Sequence, residues 1–278
     1  MSVSVAAGSG QAIRALFGRA KVVIGVVHCP ALPGAPGHRG GPVEAIYANA
    51  LADAEAYVEG GVHGLIIENH GDIPFLKPDD IGPETAAHLA VITDRVRRAC
   101  AVPLGINVLA NAAIPALAVA RAGGASFIRV NQWANAYVAN EGIIEGEAAR
   151  ALRYRAALQG HEIKIFADAH VKHGAHAIVA DRPIAELTRD LEFFHADAVI
   201  ATGQRTGDSA TMTEIDAIRA ATSLPVLVGS GVTTANIAAI LARTGGVIVA
   251  SSLKRDGVWW NPVELARVKA LMAEYARA

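Results

Sequence analysis

The sequence predicts an α/β protein built as a single (β/α)8 barrel. Three observations carry that expectation. Eight short β-branched runs recur, at residues 22–28, 64–68, 103–108, 126–130, 163–167, 198–201, 226–228 and 247–250, with Ala-rich amphipathic stretches between them. The runs lack strict alternation, which is the pattern of parallel strands buried on both faces. No linker or low-complexity segment interrupts the series over 278 residues, so eight strand–helix units form one closed barrel. An open doubly wound sheet would carry a Gly-rich turn after its first strand. Here that turn is Pro-rich, with Pro30, Pro33 and Pro36, and the most phosphate-like turn follows the seventh run.

The helices between the strands carry chemical boundary signals. Pro42, Pro83 and Pro262 stand at first helical positions, with Glu44, Glu84 and Glu264 in the first turns. Residues 213–216 resemble a capping box with Asp216 in place of the usual Glu. Gly60-Gly61, Gly123-Gly124 and Gly245-Gly246 stand where helices end before strands, as left-handed caps do. A helix at about 11–20 precedes the first strand and should cover one end of the barrel. Residues 1–20 then form an N-terminal extension and 21–278 the barrel. Residues 131–145, with Trp133 and Tyr137, read as a long loop serving as a lid or a dimer contact.

Composition narrows the class. With 52% hydrophobic and 18% charged residues the chain can bury a sizeable core, which excludes a disordered or fibrous protein. A net charge of -1, with 19 Arg and 6 Lys scattered along the chain, supplies no basic field for a nucleic-acid partner. Two cysteines give no disulfide framework. The N-terminus lacks a signal-peptide pattern, and no run reaches the ~20 apolar residues of a transmembrane helix. A cytoplasmic protein without a transmembrane segment is expected.

In such barrels function gathers at the C-terminal ends of the strands. Those ends hold His28, Glu68, Asn107, Arg129 with Asn131, Asp168 with His170, Lys172 and His173, and Thr202 with Arg205 and Thr206-Gly207 beyond it. The last two strands end in Gly229-Ser230-Gly231-Val232-Thr233 and Ser251-Ser252-Leu253-Lys254. One polar residue at a strand end is most often a satisfied structural group. A ring of ionisable groups costs desolvation energy unless it binds or reacts. Gly229, Ser230 and Gly231, completed by Ser251 and Ser252, would offer backbone N–H groups and a helix N-terminus to a phosphate, although Ser-Gly pairs also make plain tight turns.

Several roles compete for the remaining residues. Asp168, His170, Glu68 or His28 would do acid–base work next to a carbonyl. Alternatively His28, Glu68, Asp168 and His170 would hold a divalent metal. Lys172 would form a Schiff base if buried, or stand as a surface cation. Asn107, Arg129, Asn131 and Thr202 would orient hydroxyl or carbonyl oxygens. The Pro-rich loop after the first strand is either an ordered connector or a wall over the mouth, and Trp259-Trp260 reads as core or interface ahead of a cofactor contact.

Five segments together resemble the BtpA family, which takes in SgcQ-like proteins. They are residues 23–37 (Val-Ile-Gly-Val-Val-His-Cys-Pro-Ala-Leu-Pro-Gly-Ala-Pro-Gly), 68–75 (Glu-Asn-His-Gly-Asp-Ile-Pro-Phe), 127–131 (Phe-Ile-Arg-Val-Asn), 168–173 and 229–233. The resemblance extends to Lys254-Arg255-Asp256-Gly257 and implies a TIM barrel. The family takes its name from a cyanobacterial factor implicated in photosystem I biogenesis. Its relatives also occur in non-photosynthetic bacteria and archaea, some beside sugar-transport genes. Two functional classes stand at this point. One is a homo-oligomeric enzyme acting on a phosphorylated small molecule by isomerase, epimerase, lyase or aldolase chemistry. The other is a non-catalytic assembly factor.

Overall fold

Eight parallel strands close on themselves in the computed structural model, which describes residues 11–203 and 209–278. In chain order the strands are β1 (Val22–His28), β2 (Gly64–Glu68), β3 (Leu104–Asn107), β4 (Phe127–Val130), an inserted antiparallel pair β5 (Ala136–Ala139) and β6 (Gly142–Glu145), then β7 (Lys164–Asp168), β8 (Ala198–Thr202), β9 (Val226–Gly229) and β10 (Gly246–Val249). The barrel runs β1-β10-β9-β8-β7-β4-β3-β2, with β5 and β6 outside it. The eight runs read from sequence are thus the eight barrel strands. The helices are α1 (Gln11–Phe17), α2 (Val43–Glu59), α3 (Pro83–Ala99), α4 (Ala113–Gly123), α5 (Ala148–Ala157), α6 (Ile184–Phe193), α7 (Met212–Ala221), α8 (Ile237–Leu241) and α9 (Leu265–Arg277). Among the described residues no helix is long and apolar enough to cross a membrane, and both cysteines are free and buried.

The missing alternation in the strands follows from where their two faces go. Ile24, Val26, Ile66, Phe127, Phe166, Ile200, Leu227 and Ile248 share one buried cluster that fills the barrel. Their neighbours Val23, Val27, Leu65, Ile67, Ile128, Ile165, Val199 and Val228 belong to a second cluster with the helices. Helix α1 adds Ile13 to the interior cluster, and Phe17 meets Phe127 edge-on at 5.9 Å. The barrel filling depends on a glycine. Phe127 stacks on Phe166 at 4.6 Å, and a Cβ at Gly105 would stand 2.2 Å from the Phe127 ring.

Several local readings are corrected. Residues 131–145 are not a plain loop, because β5 and β6 pair within them. Trp133 there is core, donating its indole N–H to Phe194 O at 2.9 Å. The α7 cap is Thr211, whose Oγ1 accepts from the Glu214 N–H at 3.2 Å, so the box begins two residues before Thr213. Helix α2 starts one residue after Pro42, while Pro83 opens α3 as expected. Helix α9 starts three residues after Pro262, because Val263 bridges to Lys254 and donates its N–H to Asp53 Oδ1 at 2.7 Å. Gly61 and Gly124 adopt the left-handed conformation, whereas Gly246 opens β10. Lys254, 1% exposed, reaches Asp53 Oδ2 at 2.5 Å and ties the segment after β10 to α2.

Gly105→Ala should cost about 1–3 kcal/mol, the usual price of overpacking a core. It should appear as a lower urea midpoint at unchanged slope. Lys254→Met should cost about 3–5 kcal/mol because it strands the Asp53 carboxylate. The double variant Asp53→Leu/Lys254→Met should recover part of that loss in the same unfolding experiment.

Candidate functional site

The mouth arises where the interior face of each strand runs out of apolar residues. Side chains along a strand alternate faces, so the next inward position lies two residues on. Val26 is followed by His28, Ile66 by Glu68, Gly105 by Asn107, Phe127 by Arg129, and Phe166 by Asp168. The ladder places His28 beside Glu68 and Glu68 beside Asn107. Charged groups therefore replace the hydrophobic filling at one end of the barrel.

Two buried clusters form there. In the first, Arg129 Nε and Nη2 donate to Asp168 Oδ1 and Oδ2 at 3.0 and 2.9 Å, and Asn131 Nδ2 donates to Oδ2 at 3.2 Å. Burial opposes the guanidinium charge, but Asp168 outweighs it and raises the Arg129 pKa. In the second cluster Glu68 accepts from Asn107 Nδ2 at 2.5 Å and from His70 Nδ1 at 3.0 Å, and His28 Nε2 lies 3.8 Å from Glu68 Oε1. Burial alone would raise Glu68. The His70 hydrogen bond and the nearby charges of His70, His28 and Arg129 overcome it and hold the carboxylate well below its usual range. Burial, reinforced by His70, pushes His28 down to about 3. Its Nδ1 donates to Trp259 O at 3.2 Å, and the Trp259 ring meets His70 edge-on at 4.5 Å.

Two cavities open onto these clusters and share one wall. The first, about 240 Å³, is lined by His28, Ser230, Gly231, Val232, Ser251 and Ser252 among others. The second, about 330 Å³, is lined by Asn107, Asn131, Tyr137, Glu141, His173 and Trp259 among others. Glu68, His70, Arg129 and Lys172 line both, so the charged groups form a waist between two lobes. Burial, then the Arg129 charge, lowers the pKa of Lys172.

The first lobe holds the phosphate-like turn. Ser230 and Gly231 both have positive φ, at 88° and 65°. The N–H groups of Gly231, Val232, Ser251 and Ser252 have no hydrogen-bond acceptor among the described residues. Ser252 Oγ donates to Val232 O at 2.7 Å and holds the two turns together. The expected help from a helix N-terminus is absent, since α8 starts six residues past Gly231 and has only five residues. Gly229 ends β9, and a Cβ there would press on Ile200 Cγ2 at 3.1 Å.

The remaining candidates separate. Lys172 sits at the waist. His170 turns into a different cavity with His176 and Glu214, its ring 3.8 Å from that of His176, and burial followed by His176 lowers it to about 4. It therefore lies apart from His28 and Glu68. Thr202 Oγ1 donates to His170 O at 2.6 Å and lines neither lobe. The Pro-rich loop lines neither lobe and instead braces the turn after β2, with Leu32 N–H on Asp72 Oδ1 at 2.8 Å. Arg205, Thr206 and Gly207 lie outside the described residues. Sequence reasoning missed His70 as a site residue, although it stands two residues beyond Glu68. It also ranked a contact role for Trp259 last, and no local signal marks that residue.

Relatives and solved structures agree with this architecture. The chain is similar to an uncharacterized protein of Archaeoglobus fulgidus, 42% identical over 252 residues, or 91% of this chain and 97% of the relative. It is similar to the Photosystem I biogenesis protein BtpA of Synechocystis, 38% identical over 255 residues, or 91% and 88% of the two chains. Among solved structures it shares its fold with N-(5'-phosphoribosyl)anthranilate isomerase from Pyrococcus furiosus, with TM-score 0.56, 11% identity, and coverage of 93% and 100%. Thiamine phosphate pyrophosphorylase from Pyrococcus furiosus gives TM-score 0.55, 12% identity, and coverage of 93% and 96%. At such identities the likeness is one of fold, a TIM barrel. Residues 19–277 match the BtpA family, and with the two relatives above this establishes that the chain belongs to the BtpA family.

Proposed function

We propose that the barrel mouth binds a phosphorylated small molecule of sugar-phosphate type and that the chain is an enzyme moving protons on it, as isomerases and lyases do. The observation that carries this reading is the set of N–H groups at Gly231, Val232, Ser251 and Ser252 with no acceptor among the described residues, in the lobe that Arg129 and Lys172 also line. Such groups satisfy a phosphate without further charge, and the position after the seventh and eighth barrel strands is the usual one for it. The second lobe receives the rest of the molecule. There the Oδ1 atoms of Asn107 and Asn131 are buried without a partner among the described residues, each fixed because its Nδ2 faces a carboxylate. Two orphaned acceptors suit the hydroxyl groups of a polyol.

Proton transfer falls to the waist. Asp168 is committed to Arg129, and His170 faces another cavity. Of the groups facing both lobes we assign proton transfer to Lys172, whose lowered pKa suits a general base, with Glu68 and His70 beside it. The name of the Synechocystis relative favours a rival reading, a non-catalytic assembly factor. Such a factor needs a partner surface and gains nothing from a buried charged waist.

A thermal-shift screen separates the two readings, because a ligand that binds only the folded chain raises its Tm. Phosphorylated sugars should raise the wild-type Tm while the same sugars without phosphate do not. Gly231→Asp should abolish the effect by adding a like charge and a side chain at positive φ. A panel of phosphoesters with no effect on the wild type overturns the proposal.

Lys172 should be acylated by amine reagents with a pH midpoint below the ~10.4 of a free lysine. The sign follows from the lowered pKa, since the reactive amine appears at lower pH than in the other lysines. A bound phosphoester should protect it, and peptide mapping by mass spectrometry reads both effects. Asp168→Asn should cost about 3–5 kcal/mol by leaving Arg129 buried without its counter-charge. Denaturant unfolding measures that loss.

A further inference from the structure

We infer that His28, Glu68 and His70 form a binding site for one divalent transition-metal ion, open toward both lobes of the mouth. One ligand atom from each lies within 4.8 Å of the others. Glu68 Oε1 is 3.0 Å from His70 Nδ1 and 3.8 Å from His28 Nε2. Ligands bound at ~2.0–2.2 Å around one ion stand roughly 3–3.5 Å apart, so a small closure about an ion replaces the His70–Glu68 hydrogen bond with two metal bonds.

The surroundings are those of a ligand set. His28 Nδ1 donates to Trp259 O, which fixes the tautomer and leaves the Nε2 lone pair on the Glu68 side. Asn107 Nδ2 holds the other Glu68 oxygen, Oε2. Outer hydrogen bonds of this kind orient metal-binding histidines and carboxylates. The two imidazoles stack at 4.4 Å with an interplanar angle of 18°, and Trp259 covers both edge-on. Two nitrogens and one carboxylate favour Zn²⁺ and its first-row neighbours over Mg²⁺ or Ca²⁺. Three protein ligands leave positions open for a substrate oxygen, and Glu68 and His70 face both lobes. The site replaces the ligand set suggested by the sequence, in which Asp168 and His170 joined His28 and Glu68. Asp168 is taken by Arg129, and His170 is elsewhere.

The test uses the full chain, stripped with chelator and titrated with Co²⁺ and then Zn²⁺, without any phosphoester. One equivalent of Co²⁺ should bind and give visible d–d absorption, Zn²⁺ should displace it, and Mg²⁺ should not. His28→Gln and His70→Gln should each weaken Zn²⁺ binding by more than the ~10–100-fold that loss of an outer-shell partner costs, and Asn107→Ala by about that amount. His170→Ala should leave it unchanged. Pulsed electron paramagnetic resonance of Cu²⁺-loaded wild type should count two imidazoles, which needs no variant to fold. Absence of stoichiometric uptake, binding that survives both glutamine variants, or fewer than two imidazoles overturns the proposal. Gly231→Asp should keep full metal uptake, so failure of the phosphate reading and failure of the metal site are told apart.

Discussion

The mouth depends on one buried ion pair. Arg129 and Asp168 stand on adjacent strands at the level where Phe127 and Phe166 end the apolar filling. Neither charge can be left alone in that setting, and pairing both oxygens with one guanidinium is the geometry that offsets the cost of burial. The same guanidinium then contributes to the electrostatics of its surroundings. Its charge adds to burial in lowering Lys172, and it helps keep Glu68 ionised. In neither case does Arg129 lead: burial does so for Lys172, and His70 is the strongest influence holding Glu68 down.

Much of this was legible because period-two geometry is rigid inside a barrel. Once Phe127 and Phe166 are read as interior, Arg129 and Asp168 follow at the next inward step, and so do His28, Glu68 and Asn107. The same logic splits at the strand ends. His70 follows Glu68 by two residues, as His170 follows Asp168, yet only His70 joins the site. After β2 the chain stays over β1, because Cys29 N–H donates to Glu68 O and Gly71 N–H to Cys29 O. A Cβ at Gly71 would stand 2.4 Å from Ala31 N, so that turn requires glycine. After β7 the chain is drawn toward β8, with Ala169 N–H on Ile200 O and Thr202 Oγ1 on His170 O. Hydrogen bonds made at a distance in sequence decide which histidine is presented, and no spacing rule contains them.

The hairpin escaped the sequence reading for a related reason. Its strands are four residues each and stand outside the barrel series, so an eightfold pattern gives no cue for them. A local cue existed in Asn140-Glu141-Gly142, a turn between Ala136-Tyr137-Val138-Ala139 and Ile143-Ile144, with Gly142 at φ 100°. Trp259 offers no such cue. It enters the site from a segment that Lys254 and Asp53 tie down, 231 residues from the histidine its carbonyl holds.

These placements divide the labour between scaffold and loops. Glu68 and Arg129 of the waist stand on strand ends, whose positions the barrel ladder fixes, and precise chemistry needs such support, while His70 and Lys172 stand on the turns beyond β2 and β7. The second lobe takes Tyr137, Ala139, Asn140 and Glu141 from the hairpin. That hairpin is anchored by the Val138–Ala175 bridge and by Tyr137 stacking on His176 at 5.4 Å. Gly174 is needed there, since a Cβ would stand 2.2 Å from the Tyr137 ring. The turns after β9 and β10 take no lining residue from the hairpin, whereas the second lobe does, and the loop that carries Lys172 packs on the hairpin through Val171 and Ala175. On the proposed reading, changes confined to residues 136–145 would reshape the second lobe while the Arg129–Asp168 pair and Glu68 stay on their strands.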